Sequence, residues 1–351
     1  MFRLIALATL SLYCSACAER QNPLPDDYQC ESPAKVRDLG HNELTTRIDD
    51  ELIRRLGQAN YPNAEGAMGR NVEAYFHVRF QMGLAPLADY VVDQQDEDAL
   101  EYLLQAIEYS FAHQLPEGDF ELQIPADLVD LGPPREGDLA SGVAFFASSL
   151  GSALIALEES GWFQQNASLQ RLEVLEPQMQ LTLDYLKSQS ETLLQYDQKA
   201  PNRLLFDALA YYALGRYLDD KEAQTLGLDF AQRSLVEQHP RGYFIEGGGW
   251  DSSYQGVALE NGFRLLRMLS AGEAFRDTLY QQLACGTNWQ ASRILDSGEI
   301  SLQGNQRVFA GGESFLGKEK GIAVVSTVIA LLSLYHYTDQ ESYYRFAERV
   351  V

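Results

Sequence analysis

Residues 141–157 read SGVAFFASSLGSALIAL, a run that is apolar or small at nearly every position and long enough for several helical turns. A helix with no polar face must be enclosed by other elements. Three more stretches share this character: Asp207–Leu218, Val257–Leu269 and Gly321–Leu334. Alternating with them are amphipathic stretches, Asp98–Gln114, Leu169–Gln195, Lys221–Gln238 and Ala274–Leu295, with charges on one side and Leu, Phe and Tyr on the other. The alternation predicts an inner and an outer layer of helices. Strand-like patterning is confined to short pieces, Asp119–Ile124 and Tyr243–Glu246.

The junction from an outer to an inner helix recurs as a glycine followed by an aromatic or aliphatic residue. It is seen as Pro116-Glu-Gly118-Asp-Phe120, Pro240-Arg-Gly242-Tyr-Phe244 and Ser297-Gly298-Glu-Ile300. The intervals of 124 and 56 residues imply a unit near 56–62, with a degenerate copy between Gly118 and Gly242. Stacked helical hairpins of that length, with long loops before each inner helix, predict an all-α protein: an incomplete (α/α) toroid of about five to six hairpins over residues 43–351. An open helical array is the alternative.

The 351 residues carry 27 Lys+Arg against 50 Asp+Glu, for a formal net charge of −23. That balance opposes nucleic-acid binding, which needs clustered cations against phosphate. Arg3, the apolar run Leu4–Cys14 and the small residues Ser15–Ala18 have the pattern of an export signal over 1–18. Its removal leaves −24. Cys17 after Ser15-Ala16 also resembles a bacterial lipoprotein attachment cysteine, which would be the one route to a membrane. The expected location is therefore the periplasm, the outer-membrane surface or the exterior of a bacterium. Residues 19–42 read as a polar, Pro-bearing arm. Two cysteines follow the signal, Cys30 and Cys285, and in an oxidising compartment they either pair or remain two buried thiols. With no C-x-x-C, no H-E-x-x-H and no His pair at ligand spacing, neither a metal nor a cofactor is expected.

In a ring of hairpins the N-terminal ends of the inner helices and the loops before them share one rim, where unpaired N–H groups favour anions. Four polar junctions lie there: Pro133–Asp138, Lys199–Arg203, Glu246–Gly256 and Gly311–Lys320. The third is the richest. Three glycines, Gly247–Gly249, permit close approach, Trp250 offers a stacking face, and Asp251 or Ser252 can cap the helix. Tyr254, Asn261 and Arg264 share a helical face.

The segments KAPNRLLFDALAYYALGRYLDD (199–220), PRGYF (240–244) and WDSSYQGVALENGFRLL (250–266) resemble the alginate-lyase and heparinase-like α/α-toroid polysaccharide lyases. The resemblance implies that Asn202 matches the family's Asn at the start of one inner helix, Arg241-Gly242 its turn, and Tyr254 its catalytic Tyr. It implies β-elimination on a uronic-acid polysaccharide. Asn202, with Arg203, would neutralise the carboxylate, and Tyr254 would act as base and then acid once a neighbouring cation, Arg203 or Arg264, lowers its pKa. Trp250, Arg241, Glu246, Asp251, Arg264, Lys318 and Lys320 would contact the polysaccharide, with Glu136 and Asp138 on the first junction. Arg203 stands where the alginate enzymes have a His, and the helix from Ser141 lacks their basic residues.

Two other readings stand beside it. Inverting glycosidases use two carboxyl groups about 6.5–9.5 Å apart, and Glu136, Asp138, Glu246, Asp251 and Glu313 lie on the rim. A non-catalytic polysaccharide or envelope binder is the third. His77, in NVEAYFHVRFQ (71–81), is placed on a first inner helix close to Arg70, Glu73 and Arg79, where it could replace the missing base.

Overall fold

The computed structural model describes residues 28–73, 76–124, 135–270, 272–315 and 317–350. The expected export segment 1–18, with Cys17, and Pro133-Pro134 lie outside them. After an irregular arm come α1 (His41–Thr45), α2 (Asp50–Ala59), the short strand β1 (Phe76–His77), α3 (Leu84–Gln94), α4 (Glu97–Ala112), β2 (Leu122–Gln123) and α5 (Glu136–Glu158). The chain continues through α6 (Leu169–Ser188), α7 (Ser190–Asp197), α8 (Pro201–Tyr217), α9 (Lys221–Val236), α10 (Ser252–Met268) and α11 (Ala274–Ala291). The hairpin β3 (Ser314–Phe315) and β4 (Lys318–Glu319), α12 (Val324–Thr338) and α13 (Glu341–Val350) complete it.

The fold is all-α, an incomplete (α/α) toroid. Its inner helices pack in a row, α3 on α5, α5 on α8, α8 on α10 and α10 on α12, while α4, α6, α9, α11 and α13 back them from outside. The apolar stretches supply the inner layer. In α5 every residue from Ala140 to Leu157 is buried, each large apolar side chain contributing roughly 1.5–3 kcal/mol. That helix is long and apolar enough to span a membrane, yet it lies almost wholly inside the ring.

The recurring glycine turns stitch neighbouring outer helices together. Gly118, Gly242 and Gly298 have φ of +91°, +98° and +91°, a region open to glycine at little cost. A Cβ at each would run into a backbone carbonyl of another outer helix, Leu181 in α6, Cys285 in α11 and Arg349 in α13. Gln114 and Gln238 repeat one another: each bonds the carbonyl of its turn glycine and a carbonyl of that outer helix, Gln178 and Gln282. The degenerate copy has no such turn, because α7 fills the space before Pro201.

Cys30 and Cys285 form a disulfide that fixes the arm to α11. Cys30 N–H donates to Pro240 O at 3.2 Å and Val36 N–H to Tyr337 O at 2.9 Å, so the arm crosses several hairpins.

Three local expectations change. The stretch Leu169–Gln195 breaks at Gln189, whose N–H is shared by the Tyr185 and Leu186 carbonyls. Inner helices α5, α8 and α10 start before their apolar runs, α8 from Pro201 at its first position and α10 from the Asp251 cap its sequence offers, whereas α12 starts at Val324, inside its run. Glu136 and Asp138 accordingly lie in the first turn of α5 and not in a loop. His77 is in no helix: it pairs in β1 with Leu122 of β2, and the first inner helix begins at Leu84.

Candidate functional site

The rim is built around one carboxylate. Asp251 caps α10, its Oδ1 accepting from Ser253 and Tyr254 N–H at 3.0 and 3.2 Å. Its Oδ2 accepts from Arg307 and Val308 N–H at 3.0 and 2.8 Å. All of these are backbone donors, so Asp251 holds the loop around Arg307 against the start of α10. It is a framework residue and does not present a rim carboxylate to a substrate. The glycine turn, with Gly247 and Gly248 at φ of +60° and +93°, folds Glu246 inward until it is 1% exposed.

On this frame Tyr254 meets three charged side chains. Its hydroxyl donates to Glu313 Oε2 at 3.0 Å and accepts from Lys320 Nζ at 2.8 Å. Arg307 lies 4.3 Å from the ring centroid. The same guanidinium grips Glu313 with two bonds of 2.8 and 3.1 Å and Glu246 with one of 2.8 Å. Glu246 also accepts from the Asn202 N–H at 3.4 Å.

These surroundings drive the carboxyl groups apart. Burial pushes Glu246 up to about 7, with Arg307 opposing. Burial acts on Glu313 too, but the bonds and charges of Arg307 and Lys320 prevail and hold it at about 2. Burial, with Arg79, lowers Lys320 to about 8 against the pull of Glu313. The Tyr254 phenol is raised well above its ordinary value, by burial first and by Glu313, against Arg307. The pull of Arg307 is outweighed, so the expected net lowering by a cation is absent.

Beside Tyr254 opens a pocket of about 280 Å³ that Arg79, Asn202, Arg203 and Lys320 also line, with Phe145 and Phe206 as apolar walls. Arg203 is paired with the buried Asp197 at 3.0 Å and lies over the Tyr196 ring. Arg79 is sandwiched between Phe145 and Phe315, 4.4 Å from each centroid, and makes no ion pair among the described residues. The Asn202 Oδ1 is buried without a partner.

The structure thus brings Tyr254, Asn202, Arg203 and Lys320 together. Other expected site residues stand elsewhere. Arg264 is ten residues beyond Tyr254 on α10 and pairs with Asp89 at 2.8 Å. It is not the cation beside the phenol, because a shared helical face does not mean a shared depth. His77 packs against Gly142, where a Cβ would strike its ring, and its Nδ1 accepts the Arg79 N–H at 3.3 Å. Burial, with Arg79, lowers it to about 4. Trp250 donates to Gln303 O at 3.2 Å and packs with Tyr243 and Trp289, while Arg241 lies at the neighbouring turn. Lys318 and Glu136 are exposed, and Asp138 accepts from the Tyr196 hydroxyl. Arg79 and Arg307 were absent from the sequence-based site. In the sequence Arg79 stands out only as a neighbour of His77, and Arg307 sits in an irregular loop with no periodic signal.

No family model matches the chain, and no curated protein matches it. Among solved structures it is similar to a variant of a protein abbreviated UGL with dGlcA-Glc-Rha-Glc, at 12% identity over 73% of this chain and 75% of that one, with a TM-score of 0.48. It is also similar to an unsaturated glucuronyl hydrolase from Streptococcus agalactiae, at 11% identity over 90% of this chain and 99% of that one, with a TM-score of 0.37. At these identities and scores the matches assign no residue and no activity, and the functional reading rests on the rim itself.

Proposed function

We propose that this protein is an exported carbohydrate-active enzyme whose rim pocket receives a uronate-type sugar and which cleaves the adjoining glycosidic bond. The observation that carries this reading is Arg79. It is a cation without a carboxylate partner among the described residues, set with Lys320, Arg203 and Asn202 around one sugar-sized pocket in a protein of net charge −23. A ligand carboxylate would complete it, and the phenylalanine rings shield that contact from water.

Hydrolysis is the mode the titrating groups support best. The phenol of Tyr254 is held protonated, which keeps it a hydrogen-bond donor toward a departing oxygen, although the raised pKa also makes it a weak acid. Behind it, Arg307 holds two carboxyl groups of unequal acidity, Glu246 near 7 and so part protonated at neutral pH, and Glu313 near 2 and ionised, although neither lines the pocket itself. Elimination, the mode implied by the lyase resemblance, is the second reading. Lys320 on the phenol oxygen and Arg307 over the ring would both favour a Tyr254 phenolate.

Incubation with uronic-acid-containing oligosaccharides tests both. New reducing ends without a rise in ultraviolet absorbance support hydrolysis, whereas a rise from a new double bond conjugated to the carboxylate supports elimination. Saturable binding without either product would overturn the enzymatic reading and leave a binding protein.

A further inference from the structure

Beneath the rim pocket lies a second cavity of about 200 Å³. Met82 and Phe206 belong to the walls of both, so the two adjoin as an upper and a lower lobe. Three inner helices line them in the same order of depth. On α5, Phe145 faces the upper lobe and Ser148 and Ser152 the lower. On α8, Asn202 is upper and Leu209 lower; on α10, Tyr254 is upper and Asn261 and Arg264 lower. At 1.5 Å per helical residue, Leu209 lies about 10 Å below Asn202 and Arg264 about 15 Å below Tyr254.

Helix α1 lies across the far end of the ring. Helix α1 packs on α3, α5 and α10 together. Arg267 Nη1 donates to His41 O at 3.4 Å and to Thr45 Oγ1 at 3.3 Å, and Asn42 Nδ2 donates to Ala156 O at 2.9 Å. His41 and Leu44 have no exposure to solvent.

We infer that the two lobes take the end of a saccharide chain, with a neutral terminal sugar in the lower lobe and the acidic unit next to it in the upper one. The inference rests on the uronate reading of the upper lobe. The lower lobe suits a neutral polyol. Its walls include Met82, Phe206 and Leu209, and its polar side chains include Asn60, Ser148 and Ser152 besides the Asn261 amide, the Glu260 carboxylate and Arg264. Arg264 spends its charge on Asp89 at 2.8 Å and Glu260 at 3.7 Å, so a second carboxylate has no free cation there. Its Nη1 is nevertheless buried without a hydrogen-bond partner, and a sugar hydroxyl would satisfy it. With α1 across the floor a chain cannot thread through, so cleavage proceeds from a terminus.

Calorimetric titration of the whole protein with D-glucuronic acid, and with the disaccharides joining glucuronic acid to a neutral hexose, tests the two lobes. The expected result is that one disaccharide binds about tenfold tighter than glucuronic acid, a gain of about 1.4 kcal/mol. Asn261→Leu should abolish that gain and leave glucuronic acid binding intact. Glu260→Gln, at a partly buried position, should weaken it severalfold and serves if the first variant does not fold. Glucuronic acid binding with no disaccharide gain overturns the lower subsite alone; no glucuronic acid binding overturns the uronate reading and the subsite with it. On a long polymer in which uronic acid alternates with a neutral hexose, an early fall in polymer size would overturn end-wise attack.

Discussion

Lys320 donates a 2.8 Å hydrogen bond to the phenol oxygen of Tyr254 across 66 residues of sequence. The contact joins the last inner helix's entry loop to the first turn of α10, and it places a cation where a phenolate would need one. The same oxygen donates to Glu313, so two opposed influences meet on one hydroxyl.

Replacing Tyr254 by Phe removes that hydroxyl and keeps the ring under Arg307. Glycosidic cleavage should fall about 10²–10⁴-fold, the range of a lost proton-transfer group. Affinity for glucuronic acid should change by less than about threefold, or well under 1 kcal/mol. Single-turnover rates and calorimetry on the same variant separate the two. Unchanged cleavage would remove Tyr254 from the chemistry.

Lys320 provides the test in pH. Burial first, and Arg79 next, hold its pKa at about 8, so its charge is lost in a range where the arginines keep theirs. Uronate affinity should weaken as pH rises through about 8. Lys320→Arg should keep its affinity through that range, because a guanidinium stays charged. A wild-type affinity flat between about pH 7 and 9 would exclude Lys320 from carboxylate binding.

Glu246 should leave its mark on stability. Burial raises its carboxyl from 4.5 to about 7 in the folded chain. Below the unfolded value both states hold the proton and this contribution is complete. As pH rises toward 7 the unfolded chain ionises freely while the folded one resists, so stability drains away, by up to roughly 3 kcal/mol. Glu246→Gln cannot ionise and should lack that slope. Denaturant titrations of both proteins at pH values from about 4.5 to 7.5 give the difference directly.

The disulfide predicts a separable effect. It closes a loop of 255 residues between Cys30 and Cys285, and such cross-links stabilise by roughly 2–5 kcal/mol. Cys30→Ser should lower the melting temperature and expose the arm around Val36 and Arg37 to protease before the ring. The pocket lies on inner helices that the arm does not build, so glucuronic acid binding at low temperature should persist.

Much of the architecture was legible because its signals are local. The run from Ser141 to Leu157 has no face for water, and it is buried along its length. Gly118, Gly242 and Gly298 repeat because the same turn against another outer helix needs a positive φ and no Cβ. Tyr254, Asn202 and Lys320 could be singled out because each sits just before or within the first turn of an apolar helix.

His77 shows the limit of such reading. Its neighbours look helical in sequence, but pairing of Phe76 and His77 with Gln123 and Leu122 overrides that local preference. Arg264 shows another. Helical periodicity placed it on the face of Tyr254, but depth along the axis and the partner Asp89 lie outside what periodicity encodes.

Patterning along the chain, then, determined which segments become inner helices, which become outer ones and where the rim runs, since burial of an apolar face depends on neighbours three and four positions away. Packing of the helices and their loops decided the site. Arg79, Arg203, Tyr254, Arg307 and Lys320 come from four separate segments, and only their packing sets which charges share a low-dielectric pocket and which carboxyl keeps its proton. Those energies depend on distance in space and exclusion of water, and neither is written in the order of residues.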